Sequence, residues 1–166
     1  MRSRAPGRAR RKITSIAALA RTVHRAARRG RTIVFTNGCF DLLHAGHIKL
    51  LERAKAYGDL LIVGINSDRS VRALKGPGRP IVRQQDRALV LAALESVDYV
   101  TMFNELTPQR LVERLQPHIL IKGADWGPSR IVGRDIVRRA GGRVIRFPLV
   151  KGHSTSQLIE RIRHGR

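Results

Sequence analysis

The chain has 166 residues, long enough for one domain with a real core, and is 42% apolar but only 4% aromatic, so Val, Ile, Leu and Ala must fill the interior. A single cysteine, Cys39, excludes an internal disulfide; no apolar run nears the ~20 residues that span a bilayer, none follows the basic N-terminus as a secretory signal would, and a cytoplasmic protein is expected. Lys and Arg outnumber Asp and Glu by 33 to 12, a net +21, yet ten Arg and one Lys precede the first acid, Asp41, and no set of aromatics for base stacking accompanies them, which argues against nucleic acid as the main partner.

Residues 1–12 are Arg, Ala, Gly and Pro without periodicity and predict a disordered basic tail ahead of one domain over 13–166. Ile13, Ile16, Ala17, Ala20, Val23 and Ala27 recur at helical spacing up to Arg29, and Gly30 stops that helix. The β-branched run Thr32–Thr36 predicts a buried parallel strand, followed by a Gly-containing turn and a helix from about Gly46 to Tyr57. Leu60–Ile65 repeats the strand pattern, and Asn66-Ser67-Asp68 caps a short helix through Leu74. Lys75-Gly76-Pro77-Gly78-Arg79-Pro80 must be a loop.

A helix from about Gln85 to Glu95 then leads to the strand Tyr99–Met102. Thr107 as N-cap and Pro108 at the first helical position open the next helix. The strand His118–Ile121, a helix near Arg130–Arg139, the strand Arg143–Phe147 and a helix from Ser154 to Arg163 complete the chain. About five such alternations predict an α/β fold: a Rossmann-like, doubly wound parallel sheet of about five strands. Ligands in such sheets sit beyond the carboxyl ends of the strands where strand order reverses. The first strand runs straight into Thr36–His47, which is therefore the default site.

Within that stretch Gly38 and Gly46 let backbone approach a ligand closely, and the amides and dipole at the start of the next helix favour phosphate. His44 and His47, three residues apart, can share one side of that helix's first turn, with Lys49 just beyond. Such a cluster suits phosphate stabilisation. It does not suit a metal, because no Cys or carboxylate stands at zinc-ligand spacing.

Gly38-Cys39-Phe40-Asp41-Leu42-Leu43-His44-Ala45-Gly46-His47 resembles the G-x-F-D-x-x-H-x-G-H segment of the cytidylyltransferase-like nucleotidyltransferases. Lys151 to Ile159 resembles that family's second motif, a Ser/Thr-rich turn opening the last helix; the resemblance implies that Ser154, Thr155 and Ser156 bind the β- and γ-phosphates. Gly64–Asp68, Lys75–Ile81 and Lys122-Gly123-Ala124-Asp125-Trp126 follow in order, and together these segments resemble the stand-alone heptose 1-phosphate adenylyltransferases, over about residues 13–163. One departure is Leu106, where an acid is expected before Thr107-Pro108.

The resemblance implies transfer of AMP from ATP to a sugar 1-phosphate, with release of pyrophosphate, for lipopolysaccharide core synthesis. His44 and His47 are then expected at the α/β-phosphate bridge and Lys49 on the phosphates. Thr36, Asn37, Gly38, Phe40 and Gly46 would form the nucleotide pocket, joined by Lys122 and Asp125 from the far side. Asp41, Asn66, Asp68, Lys75, Arg79 and Arg87 are candidates for the sugar phosphate. For Asp68 helix capping, for Lys75 and Arg79 a solvated charged loop, and for Arg87 a solvated helix face stand as alternatives. Trp126 either walls the base pocket or simply packs, and Cys39 reads as a bystander. Mg²⁺ held largely by phosphates and water is expected, as is a homo-oligomer, a dimer. A cytidylyltransferase for glycerol 3-phosphate or another alcohol phosphate fits the first motif equally, and a nucleic-acid-binding module would owe its function to the tail.

Overall fold

The computed structural model describes residues 7–124, 127, 131–148 and 154–165. Five strands form one all-parallel sheet: β1 (Ile33–Gly38), β2 (Leu60–Asn66), β3 (Tyr99–Phe103), β4 (Ile119–Gly123) and β5 (Arg143–Phe147). Their order is β3-β2-β1-β4-β5, so the winding reverses between β1 and β4. The expected doubly wound sheet is therefore present, and its switch point lies at the carboxyl end of β1. Among the described residues eight helices accompany it: α1 (Arg8–Lys12), α2 (Ile16–Arg28), α3 (Ala45–Lys55), α4 (Asp68–Lys75), α5 (Gln84–Ala93), α6 (Gln109–Leu115), α7 (Arg134–Arg139) and α8 (Thr155–His164).

Burial explains why the strand runs are continuous rather than alternating. Every residue of β2 is buried, and the first four of β1 are too. Such strands need apolar cover on both faces. On one face Leu19 and Val23 of α2, Leu111 and Leu115 of α6 and Val137 of α7 pack on Ile33, Phe35, Ile62 and Leu120. On the other, Leu51 and Ala54 of α3 and Ala88 and Leu91 of α5 pack on Val34, Leu61, Val63 and Ile121. Alternate strand residues thus feed opposite cores, as a period of two requires.

Residues 8–12 depart from the disordered tail expected of them. They form α1, because Ala9 and Ile13, one helical turn apart, pack against the second core, and Lys12 Nζ donates to the Leu94 carbonyl at 2.9 Å. Ile13 is not the start of the next helix: it bridges to Val100, and Thr14 N donates to the Val100 carbonyl at 3.0 Å. Helix α2 begins only at Ile16, with Ser15 Oγ accepting from Ala18 N. Pro108, expected inside α6, is instead its N-cap. Helix α7 starts at Arg134, later than its apolar spacing suggests. Among the described residues no helix is long and apolar enough to cross a membrane.

Candidate functional site

A cleft of about 790 Å³ opens at the carboxyl ends of the strands, over the switch point between β1 and β4. The turn after β1 builds its floor. Phe40 takes a left-handed conformation at φ 46°, unusual for a residue with a Cβ. That twist turns its ring back under the turn, where it is 5% exposed and lies 5.1 Å from the His47 ring. Gly38 gives this ring room: a Cβ there would stand 3.2 Å from it, closer than ordinary contact.

His44 is the N-cap of α3 and His47 sits in its first turn, His47 N donating to the His44 carbonyl at 2.9 Å. The two rings stack with centroids 3.8 Å apart, inclined by 20°. Burial, followed by the neighbouring His44 charge, holds His47 down to a pKa of about 4. At neutral pH it is an uncharged imidazole beside a helix N-terminus. Lys49 and Arg53 line the cleft one and two turns further along the same helix. Arg53 escaped the sequence reading, although its i+4 spacing from Lys49 on an exposed helix face was the signal that could have found it.

The opposite wall comes from the far end of the chain. Ser154 Oγ caps α8 by accepting from Gln157 N, and Thr155 Oγ1 donates to the Leu42 carbonyl, tying that helix start to the turn after β1. Ser154, Thr155 and Ser156 all line the cleft with His44, Gly46 and His47, so the structure brings the two expected motifs together. Phe147 at the end of β5, Pro148 after it and Val132 before α7 complete this side. No local pattern in the sequence marks those three; strand order alone puts them there.

Lys122 lies at the end of β4 and is 7% exposed, its Nζ donating to the Asn37 carbonyl at 3.2 Å across the switch point. Asn37 also lines the cleft, and its buried Oδ1 has no hydrogen-bond partner among the described residues. A buried polar atom without a partner is costly and fits a ligand donor. Asp125 and Trp126 lie outside the described residues, as do Lys151, Gly152 and His153.

The third wall is the loop after α4. Lys75 and Arg79 line the cleft, with Asn66 from the end of β2 and Leu106, Thr107 and Pro108 from the segment before α6. Asp41 fixes this loop. Its carboxylate accepts from Arg79 Nε, from Ile81 N at 2.8 Å and from Val82 N at 2.9 Å. Burial pushes that carboxyl up, but the Val82 and Ile81 amides and the Arg79 guanidinium outweigh it and leave Asp41 below its ordinary value. Asp41 thus borders the cleft with its carboxylate already committed to the loop.

Three expected ligand-binding residues are not brought into the cleft. Thr36 is 1% exposed and donates its hydroxyl to the Ile121 carbonyl at 3.0 Å, stitching β1 to β4. Arg87 is 2% exposed and donates to the Val82 and Cys39 carbonyls and to Asp68 Oδ1, the last at 2.7 Å. A guanidinium with those donors occupied clamps the turn after β1 from behind instead of facing a phosphate. Asp68 is consumed by the same pair, while Ser67 rather than Asp68 caps α4. Cys39 lines the cleft, but burial, only partly offset by Lys75, Arg87 and Arg79, raises its thiol pKa, which suits a bystander better than a nucleophile.

Ser70 was not anticipated. Its hydroxyl accepts from Asn66 Nδ2 at 2.9 Å and donates to the Glu105 carbonyl at 2.8 Å, linking the end of β2 to the segment that carries Leu106. Leu106, where an acid was expected, is 56% exposed at this wall. Among the described residues lining the cleft, Asp41 is the sole carboxylate against Lys49, Arg53, Lys75, Arg79 and Lys122. The cleft is built for an anion.

Residues 35–161 match the profile of the family described as Cytidylyltransferase-like. The bifunctional protein HldE of Geotalea uraniireducens (strain Rf4) is 53% identical over 154 residues, which is 93% of this chain and 31% of that protein. Its namesake in Syntrophotalea carbinolica is 56% identical over 135 residues, 81% of this chain and 28% of that one. The chain therefore spans about three tenths of the length of these curated relatives. Among solved structures, the lipopolysaccharide core biosynthesis protein from Thermoplasma volcanium GSS1 superposes with a TM-score of 0.61 at 27% identity, over 75% of this chain and all of that one. Pantoate-beta-alanine ligase from Francisella tularensis, at 16% identity and a TM-score of 0.59 over 87% of this chain and 68% of that one, shares the fold.

Proposed function

The chain belongs to the cytidylyltransferase-like family and is a nucleotidyltransferase, and from that premise we propose that it transfers AMP from ATP to D-glycero-β-D-manno-heptose 1-phosphate, giving ADP-heptose and pyrophosphate. The observation that carries this reading is the meeting, in one cation-lined cleft, of the His44–His47 pair with the Ser154–Ser156 helix start on one side and the Lys75–Arg79 loop on the other. Two anions must be held there in line, and the cleft has two separate cationic walls to hold them. The substrate class is supported by the kinship with HldE proteins and with a lipopolysaccharide core biosynthesis protein.

In this reading an oxygen of the sugar phosphate attacks the α-phosphorus of ATP. The new P–O bond forms as the bond to the β-phosphate bridge breaks, and the electron pair leaves with pyrophosphate. No covalent enzyme intermediate is needed, so the protein positions the reactants and neutralises developing charge. Neutral His47 donates a hydrogen bond to a phosphate oxygen, with His44 stacked against it. Lys49 and Arg53 neutralise the leaving phosphates, and the amides opening α8, with Ser154 and Ser156, hold the triphosphate tail. Asn37, Gly38, Phe40, Gly46 and Lys122 border the nucleotide. Asn66, Lys75 and Arg79 take the sugar phosphate.

Mg²⁺ enters as part of the nucleotide complex. Among the described residues no cluster of three His, Cys, Asp or Glu could hold a metal, and Asp41 is already engaged with the loop after α4. The cation is carried by phosphates and water.

The test is pyrophosphate release with ATP or CTP, each paired with heptose 1-phosphate or glycerol 3-phosphate. ATP with heptose 1-phosphate should turn over at least tenfold faster than any other pair. A preference for CTP with glycerol 3-phosphate would replace this reading with that of a cytidylyltransferase.

A further inference from the structure

The strands begin at the end of the molecule opposite the cleft, and three helices bring exposed arginines to that end. Helices α2, α6 and α7 lie side by side on one face of the sheet, sharing one core, and each runs directly into the strand that follows it. All three therefore end at the amino edge of β1, β4 and β5. Helix α2 delivers Arg25 and Arg28 in its last turn, and Arg29 and Arg31 follow before β1. Helix α6 contributes Arg114. Helix α7 ends on Arg138 and Arg139, and Arg143 opens β5. All eight are exposed.

Local reasons account for only some of them. A cation in a helix's last turn is favoured by the helix dipole, which suits Arg25, Arg28, Arg114, Arg138 and Arg139. It says nothing for Arg29, Arg31 or Arg143. Along α2 the effect is opposed, because Arg21, Arg25 and Arg28 follow one another at spacings of four and three and the C-cap Arg29 lies four past Arg25, where like charges repel, and α2 contains no acid. The acids at or beside this rim are Glu113, hydrogen-bonded by Gln109, Asp59, whose carboxylate accepts from Thr32 N, Asp98, whose carboxylate accepts from Leu61 N and Lys55 Nζ, and Asp135, one turn before Arg138 and Arg139. Four acids, one of them paired with Lys55, do not offset eight guanidinium groups. The rim is also at the wrong end to serve the substrates, since the cleft lies beyond the opposite ends of the same strands.

We propose that this arginine rim is a docking surface for an anionic lipid bilayer, holding the enzyme peripherally with its cleft facing away. A bilayer fits better than nucleic acid for two reasons on this surface. Its arginines sit at three helix C-termini, whose carbonyl ends disfavour any phosphate in direct contact, of lipid or nucleic acid, and so suit a hydrated plane of charge held at a distance. And none of the exposed large apolar side chains (Tyr57, Leu74, Ile81, Val90, Leu106, Ile162) belongs to the rim, so it has no base-stacking platform and no wedge. A broad field acting within a Debye length of a charged plane needs neither.

The test is sedimentation with phosphatidylcholine vesicles that contain or lack phosphatidylglycerol, at about 0.15 M salt and above. The full chain should sediment with anionic vesicles only and dissociate as salt rises. Arg28→Gln, Arg29→Gln, Arg138→Gln and Arg143→Gln together should weaken that partition by more than about a hundredfold, at roughly fivefold per arginine, and leave nucleotide transfer unchanged. The same four positions changed to Lys should retain binding, because a diffuse field depends on charge and not on guanidinium geometry. Vesicle binding that survives the four Gln changes, that is lost on removing residues 1–7 with the rim intact, or that is outcompeted by duplex DNA at equal phosphate would overturn the proposal. So would loss of binding in the Lys variant.

Discussion

His47 lies in the first turn of α3 with its ring stacked on His44 and tilted against Phe40, and its uncharged state follows from that packing. Its folded pKa of about 4 lies below the ordinary 6.5. Between those values the unfolded chain binds a proton that the folded chain refuses. The stability that His47 contributes is thus complete above pH 6.5 and is lost as pH falls through the window down to 4, by about 3 kcal/mol at most. An incoming triphosphate raises that pKa, because an anion beside the ring favours imidazolium. Calorimetry of ATP binding near pH 6, in buffers of different ionisation enthalpy, should therefore record proton uptake; none would mean that His47 does not meet the phosphates. His47→Ala should keep the fold and cost about 10²–10⁴ in kcat, and near-normal turnover would remove the proposed mechanism.

Arg87 carries the complementary lesson at this scale. From sequence it is one cation on a polar helix start, equally suited to a phosphate or to solvent. The fold buries it and gives its donors to Cys39, Val82 and Asp68. Nothing local to residues 84–93 foretells that, because the groups it satisfies lie up to 48 positions away.

At the scale of elements, the cleft is set by how loops are pinned to strand ends. Asp41 pins the segment after α4, Thr155 pins α8, and Ser70 pins the segment before α6. The Ser70 link is the most selective to test, since it touches only the wall proposed for the sugar phosphate. Ser70→Ala should raise KM for heptose 1-phosphate about three- to tenfold and leave KM for ATP near its original value; the lost hydrogen bonds are worth about 1 kcal/mol each. Ser70→Thr, which keeps the hydroxyl, should restore much of the loss. Equal effects on both KM values would make Ser70 a general stabiliser of α4 instead.

For the whole molecule, the two cores are of unequal depth along the sheet. Strand β2 is buried throughout, whereas β5 at the edge has Arg143 and Arg146 exposed and the rest half-buried. No residue of α8 is buried. Amide exchange should be slowest in β1, β2 and β4, faster in β5, and fastest in α8. Protection of α8 equal to that of β2 would contradict this gradient. Saturating ATP should slow exchange at the start of α8, since that helix forms one wall of the proposed phosphate site.

The sequence by itself determined the alternation of strands and helices, the switch-point site after the first strand and the family to which its motifs belong. Those signals are local: β-branched runs, helical spacing, cap residues and one dense ten-residue motif. Tertiary structure decided which polar residues face the cleft and which are spent on the fold. Asn37, Lys75, Arg79 and Lys122 line the cleft, while Thr36, Asp68 and Arg87 do not. Strand order β3-β2-β1-β4-β5 brought Phe147 and α8 to the first motif across more than 100 residues, and it gathered arginines from three helices at the opposite edge. A charge's partner is fixed by distance in space, and spacing along the chain specifies that distance only within one helix or turn.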